Sequence, residues 1–405
     1  MPFRTALSGL NAATADLRVT GNNIANASTT GFKESRAEFA DVFAQSYAGM
    51  SKTAIGAGVK LASVTQQFTQ GIVDFTGNGL DLALSGRGFF VLDDGGARSY
   101  TRAGAFQVDR DGYVTATSGA RVQSYPPVAG SPGVYNTGTL TDLRLLSTEA
   151  PPAATTSVVA EMNLRSDGTD LSAIPFDPND PNTYSFTTSL SVFDSLGESH
   201  VSTLYFRNVG QLQWESYLSV DGTQVGGAMP MQFDSIGNLT APVAPASFGS
   251  FTPVNGAAPL DFTVDFGAVT QYGNASSVTA LRQDGYPSGR LTGIDIDGTG
   301  VVFARFTNGQ SLGLGQIALA SFSNPQGLQQ IGDNSWVETY AAGNPLFGAA
   351  GSGDIGLIQA GGLEASNVDV AAQLVRLITA QRNFQANAQV ISTADAITQS
   401  IINIR

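Results

Sequence analysis

Proline is distributed very unevenly along this chain, and its distribution limits where long helices can form. Fourteen of the 17 prolines lie between Pro126 and Pro287, and apart from Pro2 none lies before Pro126 or after Pro345. Proline breaks a helix because it lacks an N–H donor and its ring clashes with the preceding turn. Long helices are therefore expected only at the two ends of the chain.

Both ends carry small and apolar residues at alternating spacings of three and four, which is typical of a coiled-coil seam. At the N-terminal end the spacing runs through Leu7, Leu10, Thr14, Leu17, Gly21 and Ile24. At the C-terminal end it runs through Leu374, Leu377, Gln381, Phe384, Ala388 and Ile391, then after one three-residue step through Ala394, Ile397, Ile401 and Ile404. One such segment alone is more often a core helix of a single domain. Two of them at opposite ends predict pairing with each other or with neighbouring copies.

The middle of the chain has the pattern of β structure. Alternating runs at 89–92, 189–193, 201–206, 301–306 and 317–322 are separated by Asp-Gly and Asn-Gly pairs, which are hairpin signals. The 47 glycines follow no collagen-like period, and strands do not alternate with helices, so a parallel doubly wound sheet is not expected. The predicted fold class is mixed and mainly β, with nested β domains in the middle and N- and C-terminal α-helices pairing as a coiled coil.

Proline clusters and glycine-rich stretches divide the chain into four predicted parts. The stretch Gly348–Gly362 is interpreted as a hinge or linker before the second helix. The predicted parts are an N-terminal assembly helix and linker (1–70), a discontinuous β domain (71–147 plus 285–360), an inserted outer β domain (148–284) and a C-terminal assembly helix (361–405).

Composition excludes most enzyme chemistry and several classes of partner. The chain has no cysteine and one histidine, His200, and its net charge is −13. Thiol catalysis and Cys-ligated metals are therefore excluded, and the overall charge repels nucleic acid and anionic lipid. We expect no catalytic residue, no cofactor, no metal site and no nucleic-acid partner. No window of about 18 apolar residues occurs, and the first residues lack the apolar core of a cleaved signal, so membrane insertion is not expected.

Three local motifs are interpreted as structural. Gly313–Ala318 matches a loose dinucleotide pattern but leads into an alternating strand, not a helix. Asp295 and Asp297 resemble the start of a calcium loop, but a strand follows where its glutamate would be, so a hairpin turn is predicted. His200 lies in an alternating strand and is predicted to point outward rather than to act as a base.

A polar cluster follows the first predicted helix. Asn22, Asn23 and Asn26 lie close together before Thr29, Thr30 and Gly31. Asparagine and glycine are common at helix ends because both tolerate the left-handed conformation. The density of amides predicts a further role, namely satisfying backbone groups of a neighbouring helix.

Several segments are similar to the bacterial flagellar rod and hook family. Residues 17–33 (LRVTGNNIANASTTGFK) resemble its N-terminal signature. Residues 70–71, 76–84, 86–90 and 100–106 resemble its first β block, and 362–369 and 380–387 resemble its C-terminal block. The chain is accordingly identified as a member of that family.

Length separates the members of this family. Rod proteins are similar at the termini but shorter, whereas this chain has about 215 residues between Arg144 and Gly361. The resemblance therefore implies a structural subunit of the hook, a flexible curved hollow tube that acts as a universal joint and transmits torque from rod to filament. A distal rod protein is the alternative within the family. A carbohydrate-binding or adhesin-like β protein, supported by Trp214 and Tyr217, is an alternative from another class that leaves the paired ends unexplained.

The resemblance also implies how the chain assembles and with what. Many copies are expected to stack into a helical tube lined by the terminal helices, whose ends are disordered in the free monomer because such helices are marginal alone. The implied partners are the hook cap protein, rod proteins, hook–filament junction proteins and the flagellar type III export apparatus, and the implied location is the hook, outside the cell, without a cleaved signal. The predicted assembly interface comprises Leu7, Leu10, Leu17, Asn22, Asn23, Ile24, Asn26, Leu374, Leu377, Phe384, Ala388, Ile391, Ile397 and Ile401.

Overall fold

A computed structural model describes residues 2–42, 56–131, 133–145 and 149–403. The chain forms two compact units. The first comprises Met1–Ser147, Gly293–Ala304 and Ser311–Arg405, and the second comprises Thr148–Thr292 and Arg305–Gln310. The second unit is thus an insertion into the sequence of the first.

Two long helices, both in the first unit, occupy the two ends of the chain. Helix α1 spans Pro2–Ala25 and helix α2 spans Val370–Asn403. Proline suits the first turn of a helix, where its missing N–H has no partner in any case. Asp369 caps α2, because its Oδ1 accepts the backbone N–H groups of Ala371 and Ala372 at 2.9 and 3.2 Å. The prediction of helical ends that contact each other is confirmed.

The described residues of the first unit that precede the insertion form ten short strands. They are β1 (Ser35–Asp41), β2 (Val59–Gln66), β3 (Val73–Phe75), β4 (Leu82–Ser85), β5 (Phe89–Asp94), β6 (Ala97–Thr101), β7 (Phe106–Val108), β8 (Val114–Ala116), β9 (Arg121–Tyr125) and β10 (Thr141–Asp142). Strands β1 and β2 pair antiparallel with each other. They occupy described residues of the segment predicted as a linker.

Ten further strands lie in the second unit. They are β11 (Ser157–Arg165), β12 (Phe186–Phe193), β13 (Ser199–Gly210), β14 (Gln213–Val220), β15 (Thr223–Phe233), β16 (Leu239–Ala241), β17 (Ala246–Ser247), β18 (Thr263–Asp265), β19 (Thr270–Tyr272) and β20 (Ser277–Gln283). One sheet has the order β12-β13-β14-β15-β16, and the other has the order β17-β18-β11-β19 with β20 also paired to β11. A 3₁₀ turn at Pro181–Thr183 precedes β12.

One core joins the two sheets of the second unit. Strand β13 alternates so that Leu204 and Phe206 are buried, and β11 buries Val158 and Leu164 in the same apolar cluster. Successive side chains of a strand point to opposite faces, so this alternation places one face of each sheet in a common interior. The alternating pattern visible in the sequence thus fixes the buried faces.

The described residues from 291 onward form eight more strands. They are β21 (Leu291–Ile296), β22 (Val301–Phe306), β23 (Ser311–Ser321), β24 (Gln329–Gly332), β25 (Ser335–Val337), β26 (Leu346–Ala349), β27 (Leu357–Ala360) and β28 (Gly362–Glu364). A 3₁₀ turn at Pro325–Gly327 precedes β24. The largest sheet has the order β21-β22-β23-β9-β5-β6-β25-β24.

Strand β5 separates two cores in the first unit. Phe90 and Leu92 belong to one apolar cluster, whereas Phe89 and Val91 belong to another that includes Trp336. The strand is therefore covered on both faces, which explains its continuous apolar sequence. The mainly β prediction is confirmed, and each of the five alternating runs overlaps a strand.

The interpretation of Gly348–Gly362 as a hinge or linker is wrong. Strand β26 pairs with β23, and β27 pairs with β4 through partners such as Ile358 and Leu84. Ile358 is buried in an apolar core. The glycines of this stretch serve tight turns between paired strands, for example Gly351 and Gly353 with φ of 78° and 56°. The two small motifs nearby are structural as predicted: Gly313–Ala318 lies within β23, and Asp297 accepts turn N–H groups before β22.

Candidate assembly interface

The two terminal helices pack antiparallel with a constant register. A Cβ atom on Gly9 would lie only 2.5 Å from Oδ1 of Asn387. Further along, Nδ2 of Asn23 donates to Oε1 of Gln373 at 3.3 Å. Fourteen residues separate the two contact points on each helix. The pairing therefore keeps step over two heptads, as expected of a coiled-coil seam.

Small side chains form the buried seam of α1. Ala6, Ala13 and Thr20, spaced by seven residues, are buried, and on α2 Gln373 and Ala380 are buried at the same spacing. Small residues permit the two helix backbones to approach closely, as the contact at Gly9 shows. This seam lies one residue before the predicted stripe at Leu7, Leu10 and Leu17. The sequence pattern selected the larger apolar side chains, which flank the seam.

The predicted interface residues therefore have different environments. Leu7, Leu374 and Ile397 are exposed, by 50%, 47% and 56% respectively. Asn22 is also exposed, and Asn23 is buried. The half-buried members are Leu10, Leu17, Ile24, Asn26, Leu377, Phe384, Ala388 and Ile391. The side chain of Ile401 lies outside the described residues.

Asn23 connects three elements of the first unit. Its Nδ2 donates to the backbone oxygen of Ser35 at 2.8 Å, and its Oδ1 accepts the N–H of the same residue at 2.9 Å. Together with Gln373 this joins α1, β1 and α2. The amide thus satisfies backbone groups, although of a strand rather than a neighbouring helix. Asn26 instead donates to the backbone oxygen of Asn22 within its own helix end.

Glu34 fixes the start of α2 from the side of β1. Its Oε1 accepts hydrogen bonds from Nε2 of Gln373 at 2.9 Å and from Nη1 of Arg376 at 2.5 Å. Its backbone N–H donates to Oδ1 of Asn367 at 2.7 Å. The direction of α2 is therefore set by polar bonds to the segment that follows α1.

A buried ion cluster lies beneath these contacts. Nζ of Lys33 donates to Oε1 of Glu364 at 2.6 Å, and Nη1 of Arg102 donates to Oε2 at 3.2 Å. The side chains of Lys33 and Glu364 are fully inaccessible, and that of Arg102 is 4% exposed. Nζ of Lys33 also reaches the carbonyl of Thr69 at 2.8 Å, and Glu364 accepts the N–H of Gly71. Two cations and one carboxylate are thus removed from water together.

Burial dominates the electrostatics of this ion cluster. It lowers the pKa values of Lys33 and Arg102, and the negative charge of Glu364 opposes the shift in both. Arginine stays protonated in proteins, and the side chain of Glu364 pairs with it and with Lys33. The main chain is equally confined here: Gly31 has φ of 70°, and a Cβ on it would lie 2.5 Å from the backbone nitrogen of Ala103. Only glycine fits there without displacement.

The ion cluster joins the three sequence blocks that carry the family resemblance. Lys33 ends the N-terminal signature, Arg102 lies in the segment 100–106, and Glu364 lies in the segment 362–369. All three segments resemble the family, but nothing in the sequence indicates that these charges share a site. These three residues are far apart in sequence and follow no periodic pattern. The one feature of the sequence that could have indicated the ion cluster is the presence of a charged residue in each of the three short motifs.

Asp16 lies midway between the two seam contacts, at a half-buried position on α1. Burial raises its pKa, and the positive charge of Arg376 opposes this shift. A carboxylate at this position weakens the helix pair when it is ionised. Asp16 lies outside the predicted interface.

Large apolar side chains remain uncovered on α2. Exposed residues on several sides of this helix include Leu374, Val375, Ile378, Val390 and Ile397. A helix with apolar residues on most of its sides is normally buried in a larger assembly. A groove of about 620 Å³ also lies between Phe3 and the 386–398 part of α2. Neither the groove nor these side chains are covered by described residues of the same chain.

Trp214 and Tyr217, which supported the alternative of a carbohydrate-binding protein, are not available to bind a sugar. Trp214 is 1% exposed and belongs to the core of the second unit. The ring of Tyr217 is stacked on Phe176 with centroids 3.9 Å apart. Neither ring forms an open platform of the kind on which a sugar ring stacks.

Two further properties concern ligands and membranes. Within residues 2–42, 56–131, 133–145 and 149–403, no group of three or more His, Cys, Asp or Glu side chains is placed to hold a metal ion. No helix in the same ranges has the length and apolar character needed to span a bilayer.

Family models match the chain in four segments. Residues 3–33 match "Flagella basal body rod protein", and residues 83–169 match "Flagellar hook protein FlgE/F/G D1 domain". Residues 163–286 match "Flagellar basal body protein FlaE D2 domain", and 359–404 match "Flagellar basal body rod FlgEFG protein C-terminal". The first segment covers α1 except for Pro2, and the last segment contains α2.

Relatives match over the full length. The flagellar hook protein FlgE of Escherichia coli is 38% identical over 100% of both chains. The chain belongs to the flagellar hook protein family. The hook protein of Salmonella typhimurium is 37% identical over 100% of both chains, and that of Treponema pallidum is 32% identical over 99% of this chain and 98% of the relative. This family is structural and not enzymatic, and full-length matches to hook proteins favour a hook subunit over a rod protein.

A solved structure agrees on the fold. The crystal structure of Helicobacter pylori flagellar hook protein FlgE2 superposes with a TM-score of 0.55 at 16% identity, covering 72% of this chain and 100% of that one. At this identity the agreement concerns the fold alone.

Proposed function

We propose that this chain is the building block of the flagellar hook, outside the cell, where copies of it assemble into a hollow, curved tube. The observation that supports this most directly is the uncovered apolar surface of the helix pair. Leu7 and Leu374 lie outside the seam that the two helices form within one chain, yet they are large and apolar. Burying such side chains stabilises by about 1.5–3 kcal/mol each.

Other copies of the same chain are the proposed cover for these side chains. The groove beside Phe3 and the C-terminal half of α2 is apolar, and helices of neighbouring copies supply the same kind of surface. A contact between two different surfaces of identical chains grows into a helical array when the rotation between neighbours does not close a ring. The predicted interface residues would then act in two ways, with the half-buried ones inside one chain and the exposed ones between chains.

The proposed tube acts as a universal joint that transmits torque from rod to filament. Resistance to twist would come from the helices, whose direction is fixed by the ion cluster and by Glu34. Bending requires contacts that exchange, which suits surfaces with few charges, and only 13% of the residues are charged. The division into assembly helices (1–70 and 361–405), a β domain (71–147 plus 285–360) and an outer β domain (148–284) stays a prediction for this arrangement.

The family resemblance suggests further partners. These are the hook cap protein at the growing end, rod proteins and hook–filament junction proteins at the two ends of the tube, and the flagellar type III export apparatus. We propose these partners on the similarity of the terminal segments.

Electron microscopy tests the assembly proposal. The purified full-length chain, concentrated in polymer-promoting salt, is expected to give hollow tubes in negative stain. A chain lacking residues 1–30 and 374–405 is expected to give compact particles only. Tubes from the truncated chain would contradict a role for the ends.

Substitutions test the proposed surface more sharply. Leu374→Asp places a charge on α2 outside the intrachain seam, so the chain should fold but form no tubes, because burying an unpaired charge between copies is costly. Val243→Asp, at a fully exposed position of the second unit, is the matched control and should still form tubes. Normal tubes from Leu374→Asp would show that this side of α2 is not an interface.

A further inference from the structure

The one histidine of the chain lies between two carboxylates in the second unit. Nδ1 of His200 lies 2.6 Å from Oδ2 of Asp221, and Nε2 lies 3.3 Å from Oδ2 of Asp194. The imidazole side chain is 8% exposed and that of Asp194 is inaccessible. The prediction that His200 points outward is therefore wrong. Its polar atoms are satisfied inside the fold by partners from two other turns.

Neutral imidazole cannot satisfy both contacts. In either neutral tautomer one ring nitrogen carries a proton and the other presents a lone pair. An ionised carboxylate only accepts hydrogen bonds, so the nitrogen without a proton would face an acceptor. Both contacts are favourable only when His200 is an imidazolium. The geometry thus selects one protonation state.

Both carboxylates are held in the ionised form by other donors. Oδ1 of Asp194 accepts the N–H groups of Leu196 and Glu198, each at 2.9 Å, and Oδ2 accepts from Nδ2 of Asn255 at 2.5 Å. Oδ1 of Asp221 accepts the N–H of Val201 at 2.9 Å. Burial alone would raise the pKa of Asp194, but these donors lower it to about 2.

Among the described residues, the further contacts of this site are aromatic, amide and acidic. The ring of Phe251 meets the imidazole edge to face at 5.6 Å. Asn255 donates to Oε2 of Glu198 at 2.6 Å as well as to Asp194. In the described part of the chain, the charged groups in contact with this network are three carboxylates, of Asp194, Asp221 and Glu198. Burial opposes protonation of His200, but hydrogen bonds from both aspartates outweigh it and raise the imidazole pKa.

Three turns meet through His200. Asp194 begins the turn between β12 and β13, where the N–H of Gly197 returns to its carbonyl. Asp221 and Gly222 form the tight turn between β14 and β15, with φ of 49° and 78°. Asn255 belongs to a third loop and reaches the network through Asp194. The imidazole thus adds a side-chain link between the Asp194 and Asp221 turns to the backbone bond from the N–H of Asp221 to the carbonyl of Val201, and the third loop joins through Asp194.

We propose that His200 is a pH-sensitive clasp, which as an imidazolium holds these three turns together and on losing its proton releases one of them. The direction of the pH dependence of stability follows from the linkage between protonation and folding. A group whose pKa is raised by folding stabilises the fold below its unfolded pKa, about 6.5 for histidine, and this stabilisation is lost as pH rises through the folded value. The aspartates, whose pKa values are lowered, lose their contribution only in acid. The second unit is therefore expected to be most stable between about pH 4 and 6.5.

Nuclear magnetic resonance tests the protonation directly. With one histidine in the chain, ¹³Cε1-labelled histidine gives a single imidazole signal from the full-length protein. Its titration midpoint is expected above 6.5, and Asp221→Asn should lower it. Asparagine tolerates the left-handed conformation at position 221, so the turn is retained. Asp354→Asn, at an exposed site of the first unit, is the control and should not move it. A midpoint at or below 6.5, or one unchanged by Asp221→Asn, would overturn the proposal.

A second measurement tests the consequence for stability. In a Trp336→Phe background, Trp214 reports unfolding of the second unit by its fluorescence. The denaturant midpoint should fall as pH rises from 6.5 to 9, and His200→Gln should remove most of this slope. An equal slope in His200→Gln would contradict the clasp. If His200→Gln does not fold, Asp221→Asn is compared with the parent protein instead. Its denaturant midpoint should depend less steeply on pH, and an unchanged pH dependence would count against the proposal.

Discussion

The second unit and the helix pair bury their apolar side chains in different ways. In the second unit, Phe206, Trp214 and Val264 are fully buried in a core built from two sheets of the same chain. In the helix pair the seam consists of small residues, while Leu7 and Leu374 remain exposed. A core that is complete within one chain supports folding, whereas the surface left apolar is the one that we propose for assembly. The two functions are thus assigned to different stretches of sequence.

The small side chains of the helix seam bury little apolar surface. In the first unit, polar contacts near the end of α1 and the start of α2 add to the stability of the helix pair. Glu364 joins Lys33 and Arg102, and Glu34 joins Gln373 and Arg376. Hydrogen bonds and ion pairs are directional, so they fix the orientation of the helices more closely than apolar contact alone. In the proposed assembly, the remaining surface of these helices contacts a neighbouring copy, so their direction matters.

The largest expected effect comes from breaking the ion cluster. Glu364→Ala leaves two buried cations without a counterion, which typically costs about 3–5 kcal/mol. In a Trp214→Phe background, denaturation followed by Trp336 fluorescence should show this loss in the first unit. Asp354→Ala, which removes an exposed ion pair with Arg87, is the control and should cost about 0–1 kcal/mol. Similar losses from both variants would show that the ion cluster is not a structural centre.

A substitution that creates a cavity in the core of the second unit should affect folding but not assembly. Leu204→Ala should lower the free energy of unfolding of that unit by about 2–5 kcal/mol, because a fully buried side chain is removed from the core. The variant should still form tubes at a temperature where it stays folded. Unfolding of the second unit followed by Trp214, together with electron microscopy, provides the measurement. Loss of tubes by folded Leu204→Ala would mean that core and interface are not separate.

The smallest expected effect concerns Asp16 in the helix seam. Its pKa is raised mainly by burial, so its contribution to stability is present below about pH 3.8 and lost as pH rises through the raised value. Asp16→Asn should therefore raise the thermal midpoint of the helices at pH 7 and flatten its pH dependence. Circular dichroism of assembled tubes measures this, with Asp395→Asn on an exposed part of α2 as the control. A lower midpoint for Asp16→Asn at pH 7 would contradict this account of the seam.

Periodicity predicted the elements of the fold well and their contacts less well. The heptad spacing located both terminal helices, and the alternating runs located strands in both units. The stripe at Leu7, Leu10 and Leu17 nevertheless lies one position away from the buried residues Ala6 and Ala13. Sequence patterns weight side chains by their hydrophobicity, whereas close helix packing selects small ones.

Contacts between residues far apart in the sequence could not be predicted from local patterns. Lys33 and Glu364 are 331 positions apart, and neither lies in a periodic pattern. His200 was predicted to point outward because its strand alternates, but Asp194 and Asp221 from two turns make its burial favourable. The glycines of 348–362 suggested a linker, yet several of them serve tight turns between paired strands. In each case the deciding partner lies elsewhere in the chain.

Amide hydrogen exchange tests the central claim most directly, namely that one chain completes the second unit but not the helix pair. The full-length protein would be compared as monomer and as assembled tubes, with exchange followed by mass spectrometry of peptides. Peptides from α1 and α2 should exchange quickly in the monomer and gain strong protection in tubes, whereas peptides from β13 and β14 should be equally protected in both. Helices that are as well protected in the monomer as in the tube would contradict the account.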